Sequence, residues 1–373
     1  MRIVLDAVGG DNAPQETVRG AVMAARAFGC TVVLAGPADQ VRAELARHAT
    51  AGLDLPVVDA PDVIAMNEHP VQAARRKPRS PHVVGLRLVR QGEADAFVSA
   101  GHSGATMAAA TFVLGRIHGI ARPALAVRFP ALERDVLLLD IGATTDCKPE
   151  YLLQFAQLGA VYAERALDVA RPRVALLANG EEDSKGDRLV QEAHALLRHS
   201  PLHFVGNAEP KDALVGGVCD VLVCDGFVGN LFIKTSEAVM QLALQRSLRE
   251  VRRGLGWRLA AGLLPPAVLA ALAPRGGRLP VAVAGLLGGP ALVGSALGPP
   301  LLRVRQVADY RSHGGAPLLG LRGVAIVAHG RSDAAAIMSA IRQARDAVIR
   351  GAVTGVAAVL EAGGRLQRTP RAL

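Results

Sequence analysis

Six short stretches of this 373-residue chain combine glycine with residues that could bind an anion or stabilise a negative charge. They run Asp6-Ala7-Val8-Gly9-Gly10-Asp11-Asn12, Ser99-Ala100-Gly101-His102-Ser103-Gly104, Asp140 to Lys148, Asn179 to Gly186, Asp225-Gly226-Phe227-Val228-Gly229-Asn230, and His329-Gly330-Arg331-Ser332. Glycine lets a ligand touch the main chain, and a helix that starts just beyond offers free N–H groups to an anion. Lys148, Lys185 and Lys234 adjoin these stretches in a chain whose cations are overwhelmingly arginine. A lysine there is a compact point charge for phosphate or an oxyanion; the ordinary alternative is a solvated surface side chain. Each stretch alone could equally be a helix cap joined to a turn.

Several familiar catalytic devices are missing. No GxxxxGK[ST] loop is present and no GxGxxG follows the first apolar run, which disfavours a nucleoside triphosphatase or a standard dinucleotide site. Gly101-His102-Ser103-Gly104 lacks the spacing of a GxSxG nucleophile elbow. The four cysteines, at 30, 147, 219 and 224, form no CxxC pair, so neither a disulfide framework nor a zinc site is indicated. Cysteine usage suits a reducing, cytosolic setting, and the first fourteen residues have no secretory pattern.

The elements that must position these stretches alternate in type. Strand-like runs lie at 3–5, 31–35, 96–99, 124–129, 136–139, 174–178, 221–224 and 324–328, with helical spans at 14–28, 37–48, 81–91, 104–117, 149–166, 187–199, 228–255 and 332–350. This alternation predicts an α/β fold, a Rossmann-like α/β/α sandwich with a mostly parallel sheet. Residues 124–139 read as two strands joined by a turn at Pro130, an antiparallel part. Ligands of open α/β sheets sit beyond the carboxyl ends of the strands. The six stretches follow strands, so they are expected to face one edge and wall a single polar cleft.

The net charge of +9 is concentrated. Between Glu237 and Asp309 nine arginines face one acid, Glu250, which leaves the rest of the chain nearly neutral. Trp257 is the one aromatic residue of that stretch, whereas single-strand binders interleave several, so nucleic acid is not the expected partner. Met240, Leu244, Leu248, Val251, Leu255 and Leu259 follow helical spacing, with Arg246, Arg249 and Arg253 on the opposite face. Residues 279–302 are uncharged but broken by four prolines, which argues against a membrane-spanning helix. An interfacial hairpin, a loop packed on a dimer partner, and a dock for an acidic protein remain open. The expected organisation is a core over 1–235, a basic arm over 236–310, a return to the core over 311–353, and a flexible tail over 354–373.

"LDAVGGDNAP", "SAGHSGA", "DCKPEYLLQFAQLG", "NGEEDSKG", "VCDGFVGN" and "GGAPLLGLRGVAIVAHG" together resemble the bacterial phosphate acyltransferase family, in order from residue 1 to about 350. These enzymes move a fatty acyl group from acyl carrier protein to inorganic phosphate in phospholipid synthesis. The resemblance implies a projecting helical arm, a homodimer, and a cytoplasmic protein peripherally associated with the inner face of the membrane. It also implies that a downstream glycerol-3-phosphate acyltransferase is a further partner and that the reaction needs neither a metal nor an organic cofactor. By resemblance, Lys185 and Asn230 are the catalytic residues. Asp6, Gly9, Gly10, Asp11, Asn12, Ser99, Gly101, His102, Ser103, Gly104, Lys148, Asp225, Gly226 and Lys234 line the substrate site, with His329 at the rim. Arg246, Arg249, Arg253 and Trp257 would contact membrane or carrier protein. Cys147 could be read as an acyl carrier, yet the family's chemistry needs none.

The chain departs from the family pattern at His102 and Thr144, where Asn is usual, at Asn179, where Ile is usual, and at Glu209-Pro210-Lys211-Asp212. His102 brings a group that changes charge near neutrality. Two rival readings are a phosphate acetyltransferase that uses coenzyme A thioesters, and a non-catalytic membrane-associated scaffold of the same fold.

Overall fold

The computed structural model describes residues 1–262, 314–356 and 358. The chain divides into two compact units, Met1–Leu231 with Tyr310–Leu373, and Phe232–Asp309. The first unit contains β1 (Arg2–Asp6), α1 (Gln15–Phe28), β2 (Thr31–Gly36), α2 (Ala38–Leu45), β3 (Val57–Asp59), α3 (Pro70–Arg76), α4 (Pro81–Gln91), β4 (Ala96–Ser99) and α5 (Ser103–Val113). It continues through β5 (Ala124–Phe129), β6 (Val136–Leu139), α6 (Pro149–Ala166), β7 (Val174–Leu177), α7 (Arg188–Arg198), β8 (Phe204–Ala208), α8 (Pro210–Leu214) and β9 (Val221–Val223). After α9 (Gly226–Gly262), which runs into the second unit, come β10 (Ala316–Leu319), β11 (Val324–Val327) and α10 (Ala334–Ile349).

All eleven strands of the described residues join one sheet in the order β3-β2-β1-β4-β11-β10-β5-β6-β9-β7-β8. The sheet is mostly parallel, with helices covering both faces. Along β1 the side chains alternate between two cores: Ile3 and Leu5 pack with α1, α6 and α10 on one face, and Val4 packs with α4 and α5 on the other. Strands buried on both faces need continuous apolar runs, which is why β1, β6 and β11 read so plainly in the sequence. Each large side chain such as Phe97, Phe155 or Leu139 that is fully buried contributes about 1.5–3 kcal/mol.

Strand direction overturns one expectation. β1, β2, β3, β4 and β11 are mutually parallel. β10 then pairs antiparallel with both β11 and β5, and β5 pairs antiparallel with β6. β6, β9, β7 and β8 are again mutually parallel but run opposite to the β1 set. The six loops therefore do not share the carboxyl edge of one parallel sheet. They form two clusters, one after β1, β4 and β11 and one after β6, β7 and β9. The antiparallel β5–β6 pair around Pro130 is as expected.

In the second unit, α9 is longer at both ends than the expected 228–255. Among the described residues no helix is long and apolar enough to cross a membrane. The 279–302 segment lies outside the described residues, as do residues 359–373 of the tail.

Candidate active site

The first cluster is built from turns too tight for side chains. Asp6 ends β1 fully buried, its Oδ1 accepting from the Val8 N–H at 3.2 Å and its Oδ2 from the Ser99 hydroxyl at 2.8 Å. A Cβ on Gly9 would stand 2.3 Å from Asp6 Oδ2 and 2.8 Å from the Gly101 nitrogen, so only glycine lets the loops after β1 and β4 meet. Gly10 has φ +111°, a conformation reserved for glycine, and the next amide, Asp11, donates to the Gly330 carbonyl at 2.8 Å. Gly101 donates its N–H to Ser99 Oγ at 3.0 Å. These loops enclose a cavity of ≈ 120 Å³ lined by Asp6, Val8, Gly9, Gly10, Asp11, Gly101 and His102, and closed by Pro81, His82 and residues 63–66. Lys77 ties down the outer wall, donating to the Val63 carbonyl at 2.7 Å and to Glu68 at 2.6 Å. That lysine holds the Glu68 carboxyl below the usual carboxylate range. His102 N-caps α5 without a side-chain bond to the helix, its Nε2 instead donating to the Glu68 carbonyl at 3.1 Å.

The second cluster is organised around Asp140. Its carboxylate accepts from the amides of Leu125, Gly142, Ala143 and Thr144 at 2.6 to 3.2 Å. Burial nevertheless raises its pKa to about 6, because desolvation outweighs those four bonds. α9 starts directly on this loop. Gly226 donates to the Thr144 carbonyl at 2.8 Å, and a Cβ on Gly229 would fall 2.0 Å from the Asp140 carbonyl oxygen. Asp225 caps the helix, accepting from Phe227 and Val228 at 2.8 and 3.0 Å. Asn230, one turn in, is exposed beside Gly142.

The neighbouring loop after β7 carries Lys185. Asn179 Oδ1 accepts from the Gly186 N–H at 2.9 Å and closes the loop at its base. Asn207 donates to the Glu182 carbonyl at 2.9 Å from below, and the aliphatic stem of Lys185 lies over Gly180. The ammonium end is thus presented from an exposed residue on a strapped loop. Because β9 lies between β6 and β7, Lys185 and Asn230 project from adjacent carboxyl ends of one parallel set.

The structure therefore brings together Asp6, Gly9, Gly10, Asp11, Ser99, Gly101 and His102 in one cluster, with Asn12, Ser103, Gly104 and His329 on the same loops. Asn12 Nδ2 reaches the Arg331 carbonyl at 3.5 Å, and His329 Nδ1 accepts from the Arg331 N–H at 3.2 Å. Lys148, which N-caps α6, belongs to the second cluster with Lys185, Asp225, Gly226 and Asn230. Lys234 lies further along α9, in the second unit, exposed and paired with Glu237 at 3.5 Å. Arg246 and Arg249 are exposed on α9, and Arg253 and Trp257 fall on the same helix. Burial pushes the Cys147 thiol up to about 12 and it donates to the Thr144 carbonyl, so it is a poor nucleophile. Among the described residues no group of three or more His, Cys, Asp or Glu could hold a metal ion. His82 was missed by sequence reasoning. Its signal is faint: a histidine just inside the Ser80-Pro81 helix start, followed by apolar residues that read as packing.

The sheet and its flanking helices have the fold of the phosphotransacetylases. A phosphotransacetylase from Streptococcus pyogenes has the same fold, with a TM-score of 0.56 at 19% identity over 94% of each chain. Residues 1–271 and 285–354 match the model of a family described as fatty acid synthesis protein. A phosphate acyltransferase from Herpetosiphon aurantiacus is 57% identical over 362 residues, covering 97% of this chain and 98% of its own. One from Anaeromyxobacter sp. is 45% identical over 380 residues, covering 99% and 95%. The chain belongs to the phosphate acyltransferase family.

Proposed function

We propose that the acyl donor is acyl carrier protein and that a long-chain fatty acyl group passes to inorganic phosphate, giving the acyl phosphate used in phospholipid synthesis. The observation that supports phosphate as the acceptor is the size and lining of the first cavity, while the exposed arginines of α9 support a carrier-protein donor. At ≈ 120 Å³, walled by glycine main chain, it suits an inorganic oxyanion and is too small for an acyl chain or a pantetheine arm. Phosphate is already a nucleophile, which fits a site whose cysteine thiol is held protonated. One phosphate oxygen attacks the thioester carbonyl carbon, the C–S bond breaks, and the hydrogenphosphate proton ends on the departing thiol. What the protein must supply is alignment and stabilisation of the tetrahedral oxyanion. Lys185 would counter phosphate and oxyanion charge, and Asn230 would donate a hydrogen bond to the oxyanion. Asp6, Gly9 to Asn12, Ser99 and Gly101 to Gly104 would hold phosphate. Lys148, Asp225, Gly226, Lys234 and His329 complete the substrate site in this reading.

The arginines of α9 support docking of an acidic carrier protein or an anionic lipid surface. The reading includes a homodimer on the inner face of the membrane that hands its product to a glycerol-3-phosphate acyltransferase. The test is release of free thiol from palmitoyl carrier protein, with and without phosphate, beside Lys185→Ala. Release that needs phosphate and falls by ~10²–10³-fold in the variant is expected. Release from acetyl coenzyme A but not from the carrier protein would overturn the donor assignment.

A further inference from the structure

The first unit carries a basic surface of its own, apart from the arginines of α9. Between Val63 and Gly92 six cations, Arg75, Arg76, Lys77, Arg79, Arg87 and Arg90, stand against one acid, Glu68. Four of the six are engaged within the protein. Lys77 pairs with Glu68 at 2.6 Å, Arg79 pairs with Asp59 at 3.1 Å, and Arg87 and Arg90 donate to the carbonyls of Pro78 and Val113, each at 3.2 Å. Arg75 and Arg76, in the last turn of α3, are exposed and meet no carboxylate among the described residues. The Arg75 guanidinium carbon lies 4.7 Å from the centre of the Phe112 ring, and Phe112 is itself exposed on α5. Stacking of this kind steadies the guanidinium plane and leaves its N–H edge available to a carboxylate. Val71, one turn before Arg75 on the same face of α3, is exposed as well, as are Val63 and Met66 on the preceding loop. Arginine beside exposed aromatic, methionine and aliphatic side chains is the composition of a protein-binding surface.

This face is continuous with the first cavity. Val63 and Met66 line the cavity while remaining exposed, and the loop that bears them leads into α3. α3 and α5 lie side by side from there: Pro70 sits against Gly104, beside the cavity-lining His102, and Arg75 sits over Phe112 about two turns further along α5. Eight helical residues span about 12 Å, so the two unengaged arginines stand only that far along the helices from the cavity end. If phosphate is held in the cavity, the thioester carbonyl must arrive at its mouth, and the protein that tethers the thioester must dock within reach of it. We propose that the exposed face of α3, with Phe112 of α5, is the dock for the acidic carrier protein. Carboxylates of the carrier pair with Arg75 and Arg76, and its apolar side chains cover Val71 and Phe112. This rests on the reading of acyl carrier protein as donor and of the cavity as the phosphate site. The α9 arginines belong to the second unit, and this assignment leaves them to an anionic lipid surface.

The experiment follows thiol release by the full chain from two donors with the same acyl group, palmitoyl carrier protein and palmitoyl pantetheine, each with saturating phosphate. Arg75→Glu combined with Arg76→Glu reverses two exposed charges and is expected to raise the KM for the carrier protein at least ~10-fold. Turnover of palmitoyl pantetheine and the KM for phosphate are expected to stay unchanged, since neither residue lines the cavity. The wild-type KM for the carrier protein should rise with ionic strength, and that dependence should flatten in the variant. Arg76→Glu alone should raise the same KM by ~3-fold, and it decides the matter should the double variant fail to fold. Carrier-protein kinetics unchanged in these variants would overturn the proposal. In that case a raised KM in Arg246→Glu with Arg249→Glu would place the dock on α9, and lost binding of the α3 variants to phosphatidylglycerol vesicles would make the α3 face a lipid contact. Equal loss of turnover with both donors would also overturn it, because the arginines would then serve the reaction and not the docking. Wild-type release from palmitoyl pantetheine with none from the carrier protein would show instead that the donor reading has failed, and the dock falls with it.

Discussion

The two loop clusters solve opposite problems. After β1, β4 and β11 the cavity-lining atoms are themselves the packing: the Ser99 hydroxyl donates to Asp6 Oδ2 at 2.8 Å, the Gly101 amide donates to Ser99 Oγ at 3.0 Å, and the cavity is what remains between the loops. After β6, β9 and β7 the proposed catalytic groups, Lys185 and Asn230, stand exposed, and the packing lies behind them in Asp140, Gly229 and Asn207. A small anion that must be desolvated calls for the first arrangement. The proposed donor, a large acyl group carried on another protein, would call for the second. In the first cluster, binding and stability cannot be changed separately. In the second they can, which is why Lys185→Ala should cost activity while leaving the fold intact.

The sharpest way to break that contrast is to attack the frame of the second cluster without touching its exposed groups. Gly229→Ala would place a methyl group 2.0 Å from the Asp140 carbonyl oxygen, a backbone atom that cannot swing aside. We expect a loss of about 3 kcal/mol or more in urea unfolding, as for overpacking against a rigid neighbour. A variant within about 0.5 kcal/mol of wild type would mean that α9 does not need this close seat.

Asp140 provides the next effect. Its native pKa of about 6 lies above the ordinary aspartate value of 3.8, so between about pH 4 and 6 the folded chain holds a proton that the unfolded chain has released. Its contribution is therefore fully present below about pH 4 and is lost as pH rises through 6, by up to about 3 kcal/mol. Asp140→Asn has no proton to lose. The difference in unfolding free energy between wild type and variant should shift across that window and be flat on either side. A pH-independent difference would show that the four amides fully compensate the buried charge.

Much of this was legible in the sequence because central strands of a two-faced sheet must be continuously apolar; β1, β4, β6 and β11 stand within a residue or so of their expected limits. β3, β8 and β10 were not. β8 carries Gly206 and Asn207, and β10 contains Pro317 between glycine-rich turns, so each is a strand only because a neighbour pairs with it. The same blindness to pairing hid the direction of the β6 set. Nothing in residues 316–319 says that they will run against β11, yet that reversal divides one expected edge into two clusters. The chemistry-bearing loops were visible as residue types. His82 was not, since its meaning comes from Ser99 and Asp6, which reach it from other strands.

The smallest expected effect tests how the exposed cation is steadied. His194, buried on α7, has Nδ1 3.0 Å from Asn207 Oδ1 and Nε2 3.3 Å from Asp183 Oδ1. The Asn207 amide orientation is fixed by its bond to the Glu182 carbonyl, so both imidazole nitrogens face acceptors. Asp183 also pairs with Arg198, and both Glu182 and Asp183 belong to the loop that carries Lys185. His194→Gln can keep one of the two bonds. We expect it to cost about 1–2 kcal/mol of stability and to lower kcat several-fold, while leaving the KM for phosphate unchanged because the first cluster is built separately. A rise in that KM with kcat intact would mean that the two clusters are mechanically one, and the division drawn from strand direction would fail at the level of function.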